Sequence, residues 1–132
     1  MLDNEAVQAL VDVRHRKHRR VIAAVAQTTP ATGSTRPRLM VPATVRVEAG
    51  WSRRSRAAAI ANRFRVDDVP LSASAADVAA EIRTALSLSV ADAHLAAVLQ
   101  AAQGPIAVLT SATDDVRRIA AHLDVPVTVV AL

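Results

Sequence analysis

Apolar residues occur in two kinds of stretch along this chain: short unbroken runs, and longer runs spaced for one face of a helix. LMVP (39–42), IAVLT (106–110) and VTVVAL (127–132) are of the first kind and predict strands, as does the short segment FRVDDVPL (64–71). The second kind predicts helices. After Met1 and Leu2, the acidic turn Asp3-Asn4-Glu5 opens a short apolar helix through Leu10. The basic stretch RHRKHRR then leads into a helix with Val21, Ile22 and Val25 on one side. ATVRVEAGW follows Pro42, which suits a first helical turn, and Gly50 ends or bends that helix. Residues 53–63 read as a basic helix. SASAADVAAEIRTAL and SVADAHLAAVLQAAQ read as two capped helices, and TDDVRRIAAHL as the last. TTPATGSTRPR is rich in Thr, Pro and Gly and is expected to be a loop, the most flexible point of the chain.

Strands alternating with helices imply an α/β sandwich with a mostly parallel central sheet. No internal repeat appears, and 132 residues suit a single domain spanning 1–132. Composition refines this picture. The chain is 52% hydrophobic but only 2% aromatic, so its core must be built from Ala, Val, Leu and Ile. With no cysteine, disulfides and thiolate zinc sites are excluded. The N-terminus carries acids where a secretory signal would be basic, and LAAVLQAAQGPIAVLTSAT is too interrupted to span a membrane. The expectation is a soluble, cytoplasmic protein. Net charge is +4, which favours polyanionic partners, although an Arg-rich, Ala-rich composition also arises from a GC-rich genome.

Function in open parallel sheets gathers at the carboxyl ends of the strands. Asp3, Glu48, and the pair Asp114/Asp115 fall there or in the helix just beyond, and Asp92 opens a helix expected close by. Converging carboxylates repel one another unless a cation sits among them, and Mg²⁺ or Mn²⁺ prefers such oxygen donors. Each acid also has a plainer reading. Ser89 and Asp92 have capping-box spacing. Asp3 suits a turn or N-cap, Glu48 suits an ion pair with a nearby Arg, and Asp114 and Asp115 complement a helix dipole. Glu48 is the most informative, because it lies among apolar neighbours with Thr44 and Trp51 on its helical face, where an acid needs a partner.

Four segments occur in order along nearly the whole chain: LDNEA, VPATVRVEAGW, SVADAHLAAVL, and VLTSATDDVRRIAAHL before VTVVAL. In this order and spacing the chain resembles the PIN domain, and within it the VapC-like toxin ribonucleases of bacterial toxin–antitoxin pairs. The resemblance implies a three-layer α/β/α, PIN-like sandwich, a Mg²⁺- or Mn²⁺-dependent endoribonuclease, a homodimer, and inhibition by a cognate antitoxin protein. Carried over by position, Asp3, Glu48 and Asp92 match the family's first three acids. The family's last motif departs here: Ala112 stands where Asp or Asn is usual, while Asp115 matches the further acid and Asp114 is a possible substitute. The chain also has only Met1 and Leu2 where the family has a full central strand. The natural start is therefore expected upstream, or the chain is a damaged copy.

Thr110 and Ser111 end a strand at the same edge, where they orient a carboxylate or cap the next helix. RHRKHRR and WSRRSR could track an RNA backbone, or form solvated faces. With few aromatics, RNA recognition would rely on backbone and shape. The histidines receive no catalytic role. The competing reading is a catalytically defective PIN-like relative that binds an antitoxin or RNA. An unrelated phosphate-binding enzyme is disfavoured, since three glycines cannot supply a glycine-rich phosphate loop.

Overall fold

A computed structural model describes residues 1–27 and 38–132. Its helices are α1 (Asn4–Val11), α2 (His18–Gln27), α3 (Ala43–Glu48), α4 (Ala73–Leu86), α5 (Val90–Gln100) and α6 (Thr113–Leu123). Its strands are β1 (Leu39–Pro42), β2 (Val66–Val69), β3 (Ile106–Thr110) and β4 (Val127–Ala131). The alternating pattern of the sequence is thus realised as a mixed α/β fold. The expected loop TTPATGSTRPR lies, apart from Arg38, outside the described residues.

The strands form two parallel ladders. β1 pairs with β2 in the register Leu39↔Val66, and β3 pairs with β4 in the register Ile106↔Val127. Residues 1–3 lie between the ladders and join them. The Leu2 amide donates to the Met40 carbonyl at 3.0 Å, the Leu109 amide donates to Met1 at 2.9 Å, and the Asp3 amide returns to Leu109 at 3.3 Å. The spatial order is therefore β2, β1, residues 1–3, β3, β4. The expected central strand is reduced to a single parallel bridge, Leu2↔Leu109. Its brevity is consistent with the two apolar residues that precede Asp3.

The core is aliphatic, as the composition requires. Leu2, Leu10, Leu95, Leu99 and Ile119 are its largest fully buried side chains. α5 is buried on most of its circumference, through Ala91, Ala93, His94, Leu95, Ala96, Ala97 and Leu99. A helix apolar all round belongs inside a domain, and α3, α4 and α6 pack against it. α2 and α6 bury only one stripe each, Val21 and Val25 in one and Val116 and Ile119 in the other. No helix among the described residues is long and apolar enough to cross a membrane.

One predicted element is different. The basic helix expected over 53–63 is instead two 3₁₀ turns, Arg56–Ala58 and Ala61–Arg63. Short polar side chains here bond to local backbone and compete with helical hydrogen bonds. The Ser52 and Ser55 hydroxyls accept from the Arg54 and Ala57 amides, and Asn62 donates to the Arg53 carbonyl. Asn62 also accepts from the Trp51 indole at 3.0 Å. Trp51 is thereby a core residue, 3% exposed, with the Arg53 guanidinium 4.6 Å above its ring. Gly50 ends the α3 segment at φ 69°, as expected of a glycine there. Pro42 stands one residue earlier than expected, as the N-cap of α3 and the last residue of β1.

Two buried bases give the fold a pH dependence. Burial lowers the Met1 α-ammonium from 8.0 to about 6, where it donates to the Ala107 carbonyl. Burial likewise lowers His94, which is fully enclosed and bonded to Thr44 at 3.0 Å. Its Nε2 faces the Pro70 carbonyl but makes no bond of good geometry. In both cases the unfolded chain binds the proton more readily, so stability is full at high pH and falls as pH drops. Denaturant midpoints taken from pH 8 down to pH 6 should register a loss of about 2 kcal/mol from Met1. Flat midpoints across that window would show the α-amine to be solvated.

Candidate functional site

The carboxyl edge of the joined ladders is where Asp3 emerges, one residue past the bridge that holds Leu2. Asp3 caps α1: its Oδ1 accepts from the Ala6 amide at 2.7 Å, with the backbone extended before the helix begins. The capping reading of the sequence is therefore correct for this residue. It is incomplete, because Asp3 is only 8% exposed. Burial raises its carboxyl above the ordinary value of 3.8, opposed by the Thr110 hydroxyl and the Ala6 amide and reinforced by the charges of Glu5 and Asp92.

The capping reading also holds for Asp92. Ser89 is the N-cap of α5, accepting from the Asp92 amide at 3.0 Å, and its hydroxyl donates to Asp92 Oδ2 at 2.8 Å. The same carboxylate is near enough to Asp3 to act on its ionisation. Two acids 89 positions apart are thus brought to one edge, α1 carrying one and α5 the other.

Glu48 closes α3 and accepts a hydrogen bond from the Asn4 side chain at 2.6 Å. Glu48 lines a shallow groove with the apolar Ala43, Val47, Val90 and Ala91 but is itself exposed. α3 stops at Glu48, so Trp51 does not share a helical face with it. Its partner is an amide, not the arginine of the plainer reading. The nearby Arg46 pairs instead with Asp68 at 3.0 Å.

Asp115 is not gathered with these acids. It is 67% exposed and faces Arg118 at 3.7 Å, while Asp114, 95% exposed, pairs with Arg117 at 3.0 Å. Both occupy the first turn of α6, as the helix-dipole reading anticipates. Ala112, at the N-cap, offers no side-chain bond. Thr110 accepts from the Ala112 amide at 2.9 Å while its hydroxyl faces Asp3.

Two members of the edge were missed by sequence reasoning. Glu5 and Lys17 form an ion pair at 2.8 Å, and the Lys17 ammonium also donates to Ser111 at 2.5 Å. The Lys17 hydrogen bond holds the Glu5 carboxyl below its ordinary value. A signal existed: Lys17 is the one lysine of the chain, set inside a run of arginines.

Among the described residues no three His, Asp or Glu side chains are placed to hold a metal ion together. Mg²⁺, however, commonly binds through one or two carboxylates and completes its shell with water. Asp3 and Asp92 are such a pair: hard oxygen donors, like-charged, close enough to interact, and each oriented by a hydroxyl. Their carboxylate oxygens are of the chemistry that a hard divalent ion prefers. The edge does not supply four convergent acids. No family model matches the chain, and no curated protein or solved structure does either.

The raised Asp3 carboxyl carries a stability consequence. Its charged form is disfavoured in the fold, so the penalty is full above the folded value and is relieved as pH falls toward 3.8. Asn keeps the capping oxygen and removes the charge. Asp3→Asn should therefore be more stable than the parent at neutral pH in metal-free buffer, as read by a denaturant titration. A less stable Asp3→Asn would mean that the carboxylate is well solvated.

Proposed function

We propose that this chain is a PIN-like, divalent-metal-dependent endoribonuclease, the toxin of a toxin–antitoxin pair. The observation that carries the reading is the meeting of Asp3 and Asp92 at the carboxyl edge, with Thr110 oriented on Asp3. These acids stand at the positions where the family resemblance locates its first and third. The reading includes a three-layer α/β/α architecture, a homodimer, a cognate antitoxin as inhibitor, and a cytoplasmic location.

Asp3 and Asp92 are the residues that would hold Mg²⁺ or Mn²⁺, with Glu48 presented nearby through Asn4. A bound ion would supply charge stabilisation for a phosphodiester transition state and would lower the pKa of water. The protein's own part is positioning. Ser89 fixes the rotamer of Asp92 by donating to it, and Ala6 and Thr110 do the same for Asp3. Asp115, as part of the proposed set, would have to leave Arg118 to take part.

The outward turn of Asp115, together with Ala112, favours one second reading. The chain would then be a catalytically defective PIN-like relative that binds RNA or an antitoxin. Purified chain should be incubated with a mixed RNA pool and Mn²⁺, beside Asp92→Asn and a chelator control. The nuclease reading expects cleavage that the chelator abolishes and that Asp92→Asn lowers by more than about 100-fold. Mn²⁺ should also raise the melting temperature of the parent and leave Asp92→Asn unmoved. No cleavage and no Mn²⁺-dependent shift would move the assignment to the defective relative.

A further inference from the structure

The run Arg14–Arg20 places Arg14, Arg16, Arg19 and Arg20 in solvent, but turns Lys17 inward to 15% side-chain exposure. Its ammonium is fixed from two elements at once, by Glu5 in the first turn of α1 and by Ser111 just past β3. Both contacts adjoin Asp3 and Thr110. The one lysine of the chain is therefore a fixed cation at the edge where Asp3, Glu5 and Asp92 gather. That edge would otherwise repel a polyanion.

Resting on the ribonuclease reading of this edge, we propose that Lys17 binds a backbone phosphate of single-stranded RNA, with Glu5 and Ser111 as positioning residues that hold its ammonium in place. An ammonium has three N–H donors. Glu5 and Ser111 engage two, which leaves the third N–H for a phosphate oxygen. Lysine suits this sharing. Its compact charge can serve three acceptors at once, whereas a planar guanidinium would lock onto Glu5 as a fork. The Glu5 carboxylate competes with the phosphate for the same cation and so moderates affinity.

The test separates binding from cleavage. A short fluorescein-labelled single-stranded RNA is titrated with the full chain in EDTA, by fluorescence anisotropy, between about 50 and about 200 mM KCl. A lost phosphate contact on a single strand makes the plot of log K against log salt shallower by about 0.7. Lys17→Met should show that loss, with several-fold weaker binding at the lowest salt. Arg117→Met, on the exposed face of α6, should keep the parental slope. Glu5→Gln should bind more tightly, because it releases the ammonium from its competitor. If Lys17→Met does not fold, the double variant Glu5→Gln/Lys17→Met removes both charges together and should show the same loss of slope. A parental slope in a folded Lys17→Met or in the double variant overturns the proposal, and so does a parent that binds no RNA. Lys17-dependent binding without Mn²⁺-dependent cleavage upholds it while removing the nuclease reading.

Discussion

Everything at the carboxyl edge depends on three backbone hydrogen bonds made by residues 1–3. β1 and β3 belong to different ladders, and this short bridge joins them through the sheet. Buried strand edges leave donors and acceptors that must be satisfied. The Leu2 and Asp3 amides, and the Met1 carbonyl, meet that requirement at Met40 and Leu109. By pinning Leu2 in the sheet, they also fix where the chain leaves it. Asp3 emerges there with its backbone extended, ready to cap α1, and the acid becomes part of the edge as a result.

A capping aspartate is usually solvated and cheap to ionise. This one is enclosed, with α5 delivering Asp92 toward it. Burial and like charge act in the same direction on its carboxyl, and two hydrogen bonds offset them in part. The edge is thus strained electrostatically in the absence of a counter-ion. Lys17 relieves Glu5, the outermost of the acids, and leaves the Asp3–Asp92 pair unneutralised. Under the proposed function, stability and function would be opposed at this pair.

The legibility of the site varied residue by residue. Asp92 was legible as a capping partner, since the Ser89–Asp92 spacing follows from SVADAH and holds, whereas its place near Asp3 depends on where α5 packs. Glu48 was legible by position but not by environment. Its apolar sequence neighbours suggested burial, yet α3 is too short to turn it inward, and the partner proved to be Asn4. Asp114 and Asp115 are matched by local forces alone, the helix dipole and arginines one turn on. Glu5 and Lys17 were not legible as a pair, because a lysine in a basic run looks like solvated surface until α2 packs against α1.

The alternation of strands and helices, the aliphatic core and the enclosed character of α5 are properties of the sequence by itself. They follow from residue volume, periodicity and capping, which act over a few positions. Residues 53–63 mark the limit of that kind of reasoning. Their composition permits a helix, but Trp51 and Asn62 close a network that only the packed chain provides. The same holds for the gathering of Asp3 with Asp92, the exclusion of Asp115, and the inward turn of Lys17. Each depends on which elements lie side by side. Charge interactions between distant residues are set by separation and burial, and these exist only once the chain has folded.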